Sequence, residues 1–238
     1  MRSSLKALTE SALGLLFPLQ CLGCRRGSRL LCPSCVAQMP RLSPPYCLAC
    51  AQPGTSQLCQ WCATAPLAVD GIRAPFLYLK DGLVQRAVYS FKYHNVRAIA
   101  PELGQLLADY LASSPVPGDA LAPVPLHKRR LRSRGYNQSV LLAREVGKRT
   151  GLPVMEDALV RTRNTRPQVS LSREERVRNV EGSFACTGKV KGLRIILVDD
   201  VVTTGSTLSA CAAALRAEGV ESVWGLALAR EGHRSSKT

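Results

Sequence analysis

A block of eight cysteines between residues 21 and 62, arranged as four C-x2-C pairs, constrains this sequence more than any other feature. Two residues between thiolates let both sulfurs reach one tetrahedral ion, and two such pairs close a four-sulfur shell, as structural zinc requires. The spacing therefore predicts two structural zinc ions held sequentially, by Cys21, Cys24, Cys32 and Cys35 and by Cys47, Cys50, Cys59 and Cys62. The alternatives are interleaved pairing and a disulfide framework.

The first residues of the chain bear on the redox compartment. Residues 1–16 include a short apolar stretch, but they lack a continuous hydrophobic region and a small-residue cleavage site. We therefore expect a cytoplasmic protein, and clustered thiols in a reducing compartment are more often metal ligands than disulfides. The longest apolar runs are too short to cross a bilayer, so no membrane span is expected.

Beyond residue 66 the cysteine-rich, loop-like sequence changes to alternating strand and helix patterns. Strands are predicted at 69–79, 120–124, 154–161, 194–198 and 222–229, with helices of 10 to 15 residues between several of them. This alternation predicts an α/β fold with a parallel sheet, whose ligand lies at the carboxyl ends of the strands. The expected domains are a double zinc-ribbon module at 1–66 and the α/β domain at 67–238.

The charge of the chain is strongly positive, with 32 Lys and Arg against 17 Asp and Glu, a net +15. The excess is localised, since residues 127–179 carry 14 basic and 5 acidic side chains. A basic surface of this kind predicts polyanionic partners, either nucleic acid or phosphate esters. Charge alone does not choose between them.

Residues 194–208 contain the pattern that points to a ligand. An apolar strand is expected to end in two adjacent acids, and a turn rich in hydroxyls then opens a helix. Backbone N–H groups at such a turn bind phosphate, while the acids accept hydrogen bonds from the vicinal hydroxyls of a ribose. The residues concerned are Asp199, Asp200, Thr203, Thr204, Gly205, Ser206 and Thr207.

This segment resembles the phosphoribosyl pyrophosphate (PRPP) signature of type I phosphoribosyltransferases. The resemblance implies that the acids are catalytic, that the turn binds the 5-phosphate and ribose, and that Mg²⁺ accompanies PRPP. It also implies a pyrophosphate-binding segment, comprising Val124, Pro125, Leu126, Lys128, Arg130 and Arg134, and a flexible closing loop that includes Arg161, Arg163, Thr165, Gln168 and Arg176. Purine-salvage enzymes carry an acid immediately before Thr-Gly, whereas this chain has Thr203, which disfavours purine transfer.

Several motifs together resemble the ComF family of competence-associated proteins over nearly the whole chain. They are the double cysteine module, Phe91-Lys92-Tyr93, Arg134-Gly-Tyr-Asn-Gln138, the Thr- and Gln-containing segment 163–168 and the PRPP signature. The resemblance implies a role in natural competence and in the handling of incoming single-stranded DNA. The implied partners are PRPP, single-stranded DNA and a competence helicase or another uptake protein. The alternatives are a non-catalytic PRPP-sensing DNA-binding or adaptor protein and a salvage phosphoribosyltransferase with an unknown acceptor.

Aromatic residues make up only 5% of the chain, and four of them precede the predicted sheet: Tyr78, Tyr89, Phe91 and Tyr93. Residues of this type more often fill a core than stack on nucleobases. We therefore expect these four side chains to be buried.

Overall fold

The computed structural model describes residues 19–94, 96–164 and 173–232. Its helices are α1 (Pro33–Ala37), α2 (Gln60–Thr64), α3 (Leu83–Tyr93), α4 (Ala100–Ser113), α5 (Lys128–Arg134), α6 (Gln138–Thr150), α7 (Arg173–Val180) and α8 (Ser206–Ala217). The strands are β1 (Gly71–Arg73), β2 (Phe76–Tyr78), β3 (Ala120–Pro123), β4 (Leu159–Arg161), β5 (Phe184–Cys186), β6 (Arg194–Val202) and β7 (Ser222–Glu231). A short 3-10 helix, Arg97–Ile99, leads into α4.

The main sheet has five strands, and every pairing in it is parallel. Its order is β3, β6, β7, with β1 and β2 pairing successive parts of the outer edge of β7. The longest pairing joins β6 to β7, from Arg194 opposite Ser222 to Val202 opposite Arg230. The predicted parallel α/β sheet is confirmed, and the carboxyl ends of β6 and β7 meet at one edge.

Helices cover both faces of this sheet. Successive residues of a strand point to opposite sides and therefore contact different helices. Ile196 and Val198 pack with α4 and α6, whereas Ile195 and Leu197 pack with α8. Complete burial of each such side chain stabilises the fold by about 1.5–3 kcal/mol. On α8, the residues Leu208, Cys211, Ala212 and Leu215 form the buried face.

Two predicted strands are divided in the structure. The stretch 69–79 is interrupted between β1 and β2, where Pro75 has no N–H to donate to a ladder. In the stretch 154–161, Val154 forms a single parallel bridge to Leu121 at the sheet edge. The end of that stretch, β4, instead pairs antiparallel with β5 in a separate two-stranded sheet.

The basic run after His127 forms a helix that is absent from the predicted elements. His127 caps this helix, α5, since its Nδ1 accepts a hydrogen bond from the N–H of Arg129 at 3.2 Å. Gly135 ends the helix with a φ of 81°, a left-handed conformation that glycine adopts without strain. The cations of the run therefore project from a regular scaffold.

The cysteine-rich segment is hydrogen-bonded to the sheet domain through the neighbourhood of β2. The N–H of Leu77 donates to the carbonyl of Pro40, and that of Leu42 donates to the carbonyl of Pro75, both at 2.9 Å. Of the second cysteine group, Cys47, Cys50 and Cys62 belong to the same hydrophobic cluster as the α8 side of the sheet. In the part of the chain that the structure describes, no helix has the length and apolar character needed to span a membrane.

Candidate functional site

The two adjacent acids lie near the carboxyl end of β6, inside the strand. The predicted strand ends at Val198, but β6 continues to Val202 because β7 is long enough to pair with it throughout. Neighbouring side chains in a strand point to opposite faces, so Asp199 and Asp200 have different surroundings. Asp200 is buried, while Asp199 is half-buried.

Asp200 is paired with a lysine that has no predicted role in the site. Lys92 on α3 places its Nζ 2.6 Å from Asp200 Oδ1, and the two side chains are 23% and 3% exposed. Burial favours the neutral amine, but the attraction of Asp200 outweighs it and raises the pKa of Lys92. The other carboxylate oxygen, Oδ2, is buried without a hydrogen-bond partner among the described residues.

Asp199 is held by hydrogen bonds from α6 and from its own strand. Its Oδ1 accepts from the Ser139 hydroxyl at 3.1 Å and from the N–H of Asp200 at 2.9 Å. Burial and the neighbouring charge of Asp200 raise the pKa of Asp199 to about 7, even though Lys92 and these hydrogen bonds oppose the rise. Asp199 therefore changes charge near neutral pH.

The turn between β6 and α8 contains a glycine in the left-handed conformation. Gly205 has a φ of 82° and immediately precedes α8. A Cβ at this position would lie 2.9 Å from Leu67 Cδ1, so one side of the turn packs against protein. The buried Thr204 and Ser206 hydroxyls lie 2.8 Å apart. The neighbouring Thr203 and Thr207 are only half-buried, which leaves them as the more accessible hydroxyl-bearing residues of the turn.

Two arginines of α5 and one of β4 interact electrostatically on the Asp199 side of the site. Burial and repulsion from Arg134 lower the pKa of Arg130. Burial and repulsion from Arg130 lower the pKa of Arg161, while the charge of Asp199 acts in the opposite direction. The structure thus brings two cations of the predicted pyrophosphate segment, on α5, together with one from the predicted flexible loop.

The remaining residues predicted to bind pyrophosphate lie between the end of β3 and the start of α5. Val124 is buried, and its carbonyl accepts a hydrogen bond from Asn137 Nδ2 at 2.9 Å. Pro125 and Leu126 are half-buried, and Lys128 is exposed.

Two of the other predicted loop residues contact the turn after α7 and the end of β7. Arg163 Nη1 donates to the carbonyl of Glu181 at 3.0 Å, and Arg176 Nη1 lies 3.9 Å from Glu231 Oε2. Thr165 and Gln168 lie outside the described residues.

The eight cysteines form two groups of four, paired sequentially as predicted. Within each group all four sulfurs lie within 4.8 Å of one another. Cys24 and Cys32 sulfurs are 3.8 Å apart, as are those of Cys50 and Cys59. A tetrahedral ion with metal–sulfur bonds of about 2.3 Å requires a sulfur–sulfur distance of about 3.8 Å, so the residues fit zinc.

A fully buried arginine connects the second cysteine group with the end of β6. Arg230 Nη2 donates to Gln52 Oε1 at 3.0 Å and lies 3.7 Å from Cys50 Sγ. Its Nη1 donates to the carbonyl of Val202 at 3.2 Å. Arg230 of β7 thereby links the cysteine-rich segment to the end of β6.

The expectation of four buried aromatic side chains is only partly correct. Phe91 is fully buried and Tyr78 is half-buried, but Tyr89 and Tyr93 are 51% and 59% exposed. The reason is helical periodicity, since Phe91 shares the core face of α3 with Val84, Ala87 and Val88. This period was visible in the sequence and would have separated the two tyrosines from Phe91.

Comparison with known proteins identifies the two parts of the chain. Residues 136–237 match the family model of the phosphoribosyl transferase domain, and residues 12–65 match that of the double zinc ribbon domain. Competence protein F of Haemophilus influenzae is 33% identical over 233 residues, which cover 90% of this chain and 98% of that protein. This chain belongs to the competence protein F family. The predicted family is therefore confirmed.

Other known proteins match smaller parts of this chain. The DNA utilization protein YhgH of Salmonella typhi is 35% identical over 142 residues, or 57% of this chain and 62% of that protein. Among solved structures, the glutamine PRPP amidotransferase from B. subtilis complexed with ADP and GMP is 25% identical, with a TM-score of 0.38. That match covers 55% of this chain and 26% of the amidotransferase chain. The double zinc ribbon match and the sulfur geometry together identify two zinc sites.

Proposed function

We propose that the edge formed by β6, α8 and α5 binds PRPP. We also propose that the protein acts in natural competence. The observation that carries the proposal is the pair of acids, Asp199 and Asp200, near the end of the strand that leads through the Gly205 turn into α8. Arg161 interacts electrostatically with Asp199. Ionised carboxylates accept hydrogen bonds from ribose hydroxyls, and a helix N-terminus with hydroxyl side chains suits the 5-phosphate. The arginines suit the diphosphate.

Binding at Asp200 requires a rearrangement, because Lys92 covers its carboxylate. In our proposal the Lys92 ammonium turns away from Asp200 and pairs with a negative oxygen of the ligand. The buried Asp200 then accepts a hydrogen bond from a ribose hydroxyl in place of the lysine. After the exchange Lys92 faces a negative oxygen and Asp200 keeps a hydrogen-bond donor, which offsets part of the cost of separating the buried pair.

The reaction that such a site supports is displacement of pyrophosphate from ribose C1 by a nucleophile. The C1–oxygen bond breaks, its electron pair leaves with the diphosphate, and the lone pair of the nucleophile forms the new bond to C1. Asp199 and Asp200 orient the ribose and stabilise the positive charge that develops on it, while Arg130 and Arg134 stabilise the leaving diphosphate. Mg²⁺ bound to the diphosphate oxygens would supply further charge neutralisation.

Calorimetric titration of the zinc-loaded protein with PRPP and Mg²⁺ tests this proposal. The D199N/D200N variant should lose PRPP binding while it retains two zinc ions. A matched control is E156Q, since Glu156 is an acid outside the site whose partner is Arg144. Unchanged PRPP affinity in D199N/D200N would refute the assignment.

Turnover is a separate question that the same preparation answers. Pyrophosphate release should be measured with labelled PRPP, Mg²⁺ and a panel of nucleobases and single-stranded DNA. Release that depends on one acceptor supports a transferase and names that acceptor. PRPP binding without release supports a PRPP-sensing protein.

We also propose that the basic segment 127–179 binds single-stranded DNA. Its charge supports this, as does similarity to proteins named for competence and DNA utilization. Because such binding releases counterions from the phosphates, affinity should fall steeply with salt. Salt-insensitive binding, or none, would refute it.

We propose that the zinc ribbons bind a competence helicase or another uptake protein. The exposed Arg25 and Arg26 lie within the first ribbon. Capture of such a partner by the wild type and by R25E/R26E, with zinc content as the control, tests the proposal. Equal capture by both forms would place the docking surface elsewhere.

A further inference from the structure

An exposed aromatic surface lies on the solvent side of α3. We call it the tyrosine platform and define it by Tyr89, Tyr93 and His94. The Tyr89 and Tyr93 ring centroids are 4.8 Å apart with their planes tilted by 44°, and His94 meets Tyr89 edge-on at 5.2 Å. All three side chains are exposed, so the platform offers contiguous aromatic surface to solvent.

Core packing does not account for this arrangement. The core face of α3 is already occupied by Val84, Ala87, Val88 and Phe91. Tyr89 and Tyr93 are one turn apart on the opposite side, where polar residues would cost less. A contiguous exposed aromatic patch, unlike a single exposed apolar side chain, indicates a binding surface.

Positive charge borders the platform on the side of α5. The Arg134 guanidinium lies over the Tyr93 ring, 5.5 Å from its centroid. Arg130 is close enough to Arg134 for their charges to repel, and Arg130 also interacts with Tyr93. Arg130 also interacts electrostatically with Arg161, which in turn interacts with Asp199.

Positive charge also borders the opposite end of the platform. Arg86 is exposed on α3, one turn before Tyr89. Arg86 and Arg26 both line an open cavity of about 600 Å³ beside the first zinc site. The aromatic rings thus lie between two basic regions.

The structure assigns the tyrosine platform as a nucleobase-stacking site for single-stranded DNA. Aromatic rings stack on unpaired bases regardless of sequence, and flanking arginines neutralise the phosphates between them. Duplex DNA would offer these rings only its phosphates and groove edges, so the proposed occupant is a single strand. This inference rests on the proposed binding of single-stranded DNA, and it does not depend on PRPP binding. The residues of the platform lie outside the basic segment 127–179.

The test compares two strands of equal length, oligothymidylate and a strand of abasic sites, in fluorescence anisotropy titrations at low salt. The wild type should bind oligothymidylate more tightly, because only that strand has bases to stack. Y89A and Y93A should each lose about tenfold in affinity for oligothymidylate. Both should retain wild-type affinity for the abasic strand, whereas Y89F and Y93F should keep affinity for both strands.

Two further variants separate stacking from charge and from general surface effects. R134A should weaken binding to both strands and reduce the salt dependence by about one phosphate contact. L58A removes a similarly exposed apolar side chain outside the platform and should leave both affinities unchanged. Zinc content and thermal unfolding should match the wild type in Y89A and Y93A, since the rings are exposed.

Each possible failure has a distinct meaning. Equal binding of the two strands by the wild type, or unchanged binding in Y89A and Y93A, would overturn the stacking site while leaving DNA binding by the basic segment intact. Equal loss for both strands in the tyrosine variants would show a structural effect and would also overturn it. Absence of all DNA binding would remove the DNA proposal together with this one, and PRPP titration of the same sample would still judge the PRPP site. Self-association of the wild type that Y93A abolishes would reassign the platform to a second copy of the chain.

Discussion

Replacing Lys92 by methionine is the most direct test of how the two acids are stabilised. Lys92 and Asp200 form a contact of 2.6 Å in which the carboxylate side is only 3% exposed. K92M keeps most of the side-chain volume but leaves the Asp200 carboxylate buried beside Asp199. The perturbation therefore removes a charge without opening a large cavity.

The expected loss follows from the burial of this pair. Removing one partner of a buried ion pair typically costs about 3–5 kcal/mol. Because Lys92 is 23% exposed, we expect the lower end, about 3 kcal/mol at pH 8. The loss should be smaller at pH 6, because the pKa of Asp199 is about 7 and its protonation there removes one of two adjacent negative charges.

In the wild type, the raised pKa of Asp199 determines whether stability rises or falls with pH. Folded Asp199, with a pKa raised from 3.8 to about 7, keeps its proton over a range in which the unfolded chain has lost it. Its contribution to stability is therefore greatest below the unfolded pKa and falls as pH rises through the folded value. K92M should steepen this fall.

Urea unfolding followed by circular dichroism in zinc-containing buffer measures both effects. R144M is the matched control, because Arg144 pairs with Glu156 at the same distance of 2.6 Å but with side chains 53% and 34% exposed. Its expected cost is below about 1 kcal/mol. D200N in the K92M background should recover part of the lost stability. A K92M loss no larger than that of R144M, or one that is equal at pH 6 and pH 8, would refute the reasoning.

Three other predictions concern zinc, helix packing and ligand affinity. C50S should lower the unfolding temperature more than C24S, because Cys50 is buried in the core shared with the sheet and Cys24 is exposed; equal shifts in calorimetry would contradict this. G104A should destabilise the protein by about 1–2 kcal/mol in urea unfolding, since the new Cβ would lie 2.3 Å from Glu145 Cβ; a neutral or stabilising result would mean that α4 and α6 separate easily. PRPP affinity should rise about tenfold from pH 6 to pH 8 as Asp199 ionises, with a flatter profile in D199N; calorimetry showing the opposite slope would rule out carboxylate recognition by this residue.

Much of the architecture was predictable because its signals are local. Two residues between cysteines bring two sulfurs to one ion whatever the rest of the chain does, so four ligand pairs were predictable. The structure shows that neighbouring pairs make up each four-sulfur group. The apolar run before Asp199 and the turn at Gly205 likewise specify a strand, a loop and a helix through neighbouring residues. The helical period of α3 also places Tyr89 and Tyr93 on the exposed side of the helix, so the expectation that both are buried was wrong on a signal present in the sequence.

Tertiary structure alone decided which distant side chains complete the site. Nothing local to Asp200 specifies that Lys92, from a helix more than a hundred residues earlier, forms its ion pair. The same holds for Ser139 on Asp199 and for Arg230 beside Cys50. Such contacts depend on how helices pack on the sheet and on how strands are ordered within it, whereas spacing along the chain determines only what neighbouring residues can do.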